Sequence, residues 1–150
     1  MSQGTTPVFR QLGEAEMREM LQRNHVGRIA FSFHDRVDIE PIHYVCGGDW
    51  LYCRTSPGAK LATLAHHPWV AFEVDEVAGV FDWRSVVARG VAYQLAGDGS
   101  EEERRQYALA VELLREVVPE TLTARDPVPL RGVVLAIHVD EMTGRAASAG

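Results

Sequence analysis

Six stretches of this chain read as β-strands, most of them through a period-two alternation of apolar and polar side chains: Val26 to Phe33, Val37 to Cys46, Trp50 to Arg54, Trp69 to Val77, Trp83 to Leu95 and Arg131 to Asp140. Alternation of this kind makes a sheet with one buried face, and short turns between runs pair neighbours antiparallel. His34-Asp35-Arg36 and Gly47-Gly48 are such turns, the glycines tolerating the positive φ of a tight hairpin. Helical spacing of Met17, Met20 and Leu21 predicts a helix from Glu14 to Arg23. A second runs from Pro57 to Ala65. A third starts at the Ser100/Glu103 capping box and buries Tyr107, Val111, Leu114 and Val118. With 150 residues the chain suits one domain, with a core from about 12 to 140 and loose tails at both ends. The sum is a small closed β-barrel with helices packed outside it.

Composition narrows the function. The net charge is −6 with scattered arginines, which argues against nonspecific nucleic-acid binding. No apolar region follows Met1-Ser2-Gln3, and no run approaches a membrane span, so a cytoplasmic protein with no membrane partner is expected. Cys46 and Cys53 flank the hairpin turn several positions apart along the ladder, too far for a disulfide, and show no metal spacing. His66 and His67 are adjacent, complement a helix end, and lack convergent partners for a metal.

The stretch most suggestive of chemistry is RTSPGAK, Arg54 to Lys60. It leads from a strand through a Pro-Gly turn into a helix, whose first amides lack internal partners and carry the positive end of its dipole. Thr55 and Ser56 add hydroxyls, and Arg54 and Lys60 add charge. Lys60 is the only lysine among 15 Lys and Arg residues. The same string also reads as an ordinary N-cap and turn with a solvated lysine. It is not a Walker loop, since the glycine spacing differs and no Ser or Thr follows the lysine. Pro41 interrupts an otherwise regular strand. Without an N–H to donate, it requires an edge, a bulge or a local opening, beside which a flat ligand could bond to main-chain groups. Gly90, inside the longest strand, signals a bulge or close backbone approach.

The order VGRIAF, EPIHYV, WLYCRTSPGAKL, HPWVAFEVD, WRSVVARGVAYQL resembles the pyridoxamine 5′-phosphate oxidase-like family of flavin-binding split barrels, over roughly Leu12 to Asp140. RTSPGAKL and RSVVARGVA are its most specific parts. The shorter, divergent branch, which includes nitroimidazole-reductase-like proteins, is the nearer match. The resemblance implies a mainly β fold: a six-stranded antiparallel split β-barrel of Greek-key type with a few peripheral α-helices. It also implies a homodimer with FMN in a cleft at the interface. It assigns the flavin phosphate to Arg54, Thr55, Ser56 and Lys60, and the strand along the flavin ring to Pro41, Ile42, His43 and Tyr44. Ser85 would meet the polar edge of the ring, with Trp83 and Val86 lining the pocket. No catalytic side chain is implied, because the flavin carries the redox chemistry. The chain closes on VDEMTGRAASAG, without the tryptophan and Arg-Leu pair of true pyridoxamine phosphate oxidases, so vitamin B6 oxidation is not the expected activity. The expectation is an FMN-dependent oxidoreductase acting on a small organic molecule, with a nicotinamide donor. Its rivals are a deazaflavin-dependent reductase with a basic groove extending to Arg28 or Arg89, and a flavin-binding protein without turnover.

Overall fold

The computed structural model describes residues 6–149. The elements are β1 (Pro7–Gln11), α1 (Glu14–Arg23), β2 (Val26–Phe33), β3 (Arg36–Gly47), β4 (Trp50–Thr55), α2 (Ala59–His66), β5 (Trp69–Gly79), β6 (Asp82–Leu95), α3 (Glu101–Val117) and β7 (Val133–Ala149). The sheet runs β1-β7-β4-β3-β2-β5-β6, and β6 pairs back onto β7. Strands β2 to β7 therefore close a circuit, every pair antiparallel. The meander β2-β3-β4 is followed by β5 lying beside β2, which is the Greek-key return.

The strand count is seven rather than six. Residues 7–11, expected as part of a loose lead-in, form β1. Residues 143–149, expected to fray, continue β7. Each orders the other, with Pro7 opposite Ala149 and Gln11 opposite Arg145. The expected loose ends at 1–5 and at Gly150 lie outside the described residues.

Alternation sets two cores on the two sides of the barrel wall. Ile29, Ile42, Tyr44, Phe72, Val74, Val86 and Ile137 point inward, and α1 plugs one end with Met17, Met20 and Leu21. The hydroxyl of Tyr44 donates to the Leu21 carbonyl at 2.7 Å, tying plug to wall. Arg23 grips Glu76 with two hydrogen bonds of 2.7 and 2.6 Å, holding the same C-terminal end of α1 against β5. On the outside, α3 covers Val45, Tyr52, Val134 and Ala136 with Ala110, Val111 and Leu114. Its start is capped as the sequence indicates, the Glu103 amide donating to Ser100 Oγ at 3.2 Å.

Gly48 takes φ 63° in the β3–β4 turn. Gly90 sits at a register shift between β6 and β7, where a Cβ would collide with the His138 carbonyl. Cys46 lies opposite Leu51 and Cys53 opposite Tyr44, and both thiols are free. Burial pushes Cys46 up to about 11 and Cys53 up to about 12, so neither is a reactive thiolate at neutral pH. No described helix is long and apolar enough to cross a membrane.

Candidate functional site

The barrel splits beside Pro41. Strand β3 pairs with β2 along its Arg36–His43 half, but with β4 only from Tyr44 to Gly47. Continuing that register would set Ile42 against Thr55. Instead β4 leaves β3 and stays with β7, Thr55 opposite Val133. Pro41 has no N–H to extend the ladder, which removes one incentive to close it. The gap is a cleft of about 260 Å³ lined by Glu40, Pro41 and Ile42 on one side and by Arg54 to Lys60 on the other, with Arg131 at its edge. The open strand and the Thr-Ser-Pro-Gly loop, inferred separately from the sequence, are thus one place.

The loop enters α2 through Gly58 at φ 154°, a conformation closed to most L-residues. Among the described residues no side chain caps the helix start, so its first amides remain available to an outside acceptor. Thr55 is buried, whereas Ser56 is exposed. Lys60 reaches across the cleft and donates to Glu40 Oε1; its side chain is 14% exposed and that of Glu40 is 43% exposed.

Arg54 is placed differently from the expectation. Its side chain is 0% exposed and turned away to the 118–132 connection. Nη1 donates to Asp126 Oδ1 at 3.1 Å and Nη2 to Asp126 Oδ2, while Nε donates to the Arg131 carbonyl at 3.0 Å. Asp126 also accepts from the Leu122 and Val128 amides at 2.7 and 3.0 Å. The Arg54 guanidinium and these amides hold its carboxyl down at about 2. The 118–132 connection is therefore pinned to the barrel by one buried carboxylate.

The remaining expected residues fall into two groups. His43 faces outward behind the cleft, with Nε2 buried and without a partner among the described residues. Burial, then the charges of Arg54 and Arg131, lower its pKa and keep the ring neutral. The Tyr44 side chain lies in the core, so only its main chain can face a ligand. Val86 likewise points into the barrel and lines no surface pocket, again leaving only its main chain. Trp83 and Ser85 stand on the outer face of β6. Ser85 Oγ donates to Glu73 Oε2 at 2.8 Å, within a network where Arg28 binds Glu73 and Asp75. Trp83 borders a separate hollow of about 340 Å³ with Arg10, Glu76 and Arg84. Neither residue lines the Pro41–Lys60 cleft. Arg28 is paired as above, and Arg89 donates to Thr143 Oγ1 at 3.2 Å.

Arg131 was not expected at the site. It reads in the sequence as the first residue of a strand, and its only signal is a basic residue following the Pro-rich segment. Half-buried, it lines the cleft and makes no side-chain hydrogen bond or ion pair among the described residues.

Comparison with known proteins agrees with this architecture. An uncharacterized protein from Rhizobium meliloti (strain 1021) is 32% identical over 149 residues, covering 94% of this chain and 97% of the relative. A FAD-binding protein from Mesorhizobium loti superposes with a TM-score of 0.75 at 25% identity, covering 95% of this chain and 99% of the other. The FAD-binding protein of Mycobacterium smegmatis gives a TM-score of 0.66 at 25% identity, over 92% and 98% of the two chains. The family model described as pyridoxamine 5′-phosphate oxidase matches residues 13–146, and the chain belongs to that family.

Proposed function

We propose that this chain is a flavin-dependent oxidoreductase that holds the phosphate of FMN in the Pro41–Lys60 cleft. The observation that carries the reading is the cleft itself: an opened ladder, uncapped helix amides, Thr55 and Ser56, and two cations, in a chain of this family. These donors fit a phosphate ester. When bound, the flavin supplies hydride or electron transfer. The chain supplies position: Lys60 and Arg131 neutralise the anion, the α2 amides orient it, and the open edge from Glu40 to Ile42 offers main-chain groups to a flat ring.

A cleft of about 260 Å³ lies below the roughly 300–1,000 Å³ of complete small-molecule pockets, so the ring must extend over the outer surface. Val37 and Ile39, 76% and 66% exposed, continue along that face of β3. A second copy covering this apolar row, and bringing Ser85 and Trp83 toward the ring, is the homodimer proposed here. A nicotinamide donor and a small organic acceptor complete the reaction.

The test is the visible spectrum of freshly purified protein, with mass analysis of what heat denaturation releases. Bound FMN, reduced anaerobically by a nicotinamide and reoxidised by an organic acceptor, is the expected result. Released FAD, which the two solved relatives are named for binding, would keep the flavin reading and change the nucleotide. A released deazaflavin would replace the cofactor. Flavin that binds but never turns over would leave a carrier. A colourless protein that takes up no added flavin would overturn the proposal.

A further inference from the structure

We propose that Arg131 is the principal anion ligand of the cleft, and that Arg54, the arginine inside the sequence motif, serves to deliver it. This rests on the phosphate reading above and ranks the cations within it. Three cations border or underlie the cleft, and they differ in what already engages them. The guanidinium of Arg54 is buried and satisfied, two nitrogens on Asp126 and one on the Arg131 carbonyl. Its charge is matched by a carboxylate, and it has no exposed edge for a ligand. Lys60 is matched by Glu40 across the cleft, so an anion must compete with a carboxylate for it. Among the described residues, Arg131 alone brings an unmatched positive charge to the lining.

Its position is built rather than incidental. The Arg131 amide donates to the Val128 carbonyl at 3.0 Å, and its own carbonyl accepts from Arg54 Nε at 3.0 Å. Both ends of its peptide environment are held by the segment that Asp126 pins. Val133 then enters β7 opposite Thr55, fixing Arg131 beside the loop hydroxyls. With its main chain so held, Arg131 offers the cleft a planar fork of donors, which suits two oxygens of a phosphate better than a single carbonyl. The cleft therefore selects ligands ending in a phosphate over neutral ligands of the same shape.

The experiment compares FMN with riboflavin, the same ring system without the phosphate, by fluorescence titration of wild type, Arg131→Gln and Arg131→Lys. FMN affinity should fall at least ten-fold in Arg131→Gln and recover partly in Arg131→Lys. Riboflavin affinity and the melting temperature of the ligand-free protein should stay unchanged. Equal loss for FMN and riboflavin, or no loss for either, overturns the assignment. If wild type binds no flavin, the flavin reading has failed, and inorganic phosphate then decides. Amide shifts at Ser56 to Lys60 that phosphate induces in wild type and not in Arg131→Gln would sustain the anion site. Their absence in wild type would end it.

Discussion

Arg54 and Lys60 stand six residues apart in one motif and carry the same charge, yet the fold gives them opposite work. Arg54 is enclosed, with a bidentate carboxylate and carbonyl acceptors. Lys60 has one partner, Glu40, which is itself substantially exposed. A buried pair is expensive to break because the remaining charge is stranded, whereas a pair at the water boundary separates at little cost. The difference teaches that basic residues close together in one sequence motif need not be equally free to meet a ligand. What already satisfies each decides.

The sharpest way to break this contrast is to remove each cation. Arg54→Met should cost about 3–5 kcal/mol, because Asp126 is left without its counter-charge. Lys60→Gln should change stability by less than about 1 kcal/mol. Denaturant midpoints of the two variants decide the matter, and equal losses would refute the division of roles. A large effect is also expected on acid stability. Asp126 is held at about 2 against an ordinary 3.8, so it contributes stability above 3.8 that disappears as pH falls toward 2. Asp126→Asn should flatten that limb of the stability profile.

Ligand affinity sharpens the comparison from the other side. Glu40→Gln releases Lys60 and should tighten FMN binding roughly two- to five-fold, the scale of an exposed ion pair. Titration showing weaker binding would mean that Glu40 itself contacts the ligand. The smallest effect belongs to His43. Its lowered pKa means that the unfolded chain binds the proton more readily, so stability should decline slightly as pH drops below about 6.5. Burial and the facing charges of Arg54 and Arg131, partly offset by Asp126, set that decline, and His43→Gln should remove it.

Much of this was legible in the sequence, for local reasons. Helix α1 and strand β2 begin and end where periodicity puts them, and Ser100 and Glu103 mark the start of α3. Pro41 and the Thr55–Lys60 loop were each readable as chemistry, and the fold joins them. Sequence distance hid the rest. Residues 7–11 and 143–149 carry weak patterns and become strands only against each other. Arg54 meets Asp126 across 72 residues, through a segment with no periodicity to read. Arg131 depends on that contact, so nothing local announces it. The inward placement of Tyr44 and Val86 was within reach, because each shares the parity of core neighbours, Ile42 for the first and Ala88 for the second.

The most direct test of the phosphate cleft is the ratio of FMN to riboflavin affinity in the unmodified protein, read at low and high inorganic phosphate. The account predicts that FMN binds at least ten-fold more tightly, and that added phosphate erodes this advantage while leaving riboflavin binding unchanged. Equal affinities at every phosphate concentration would contradict it, and would place the flavin phosphate somewhere other than the cleft between Pro41 and Lys60.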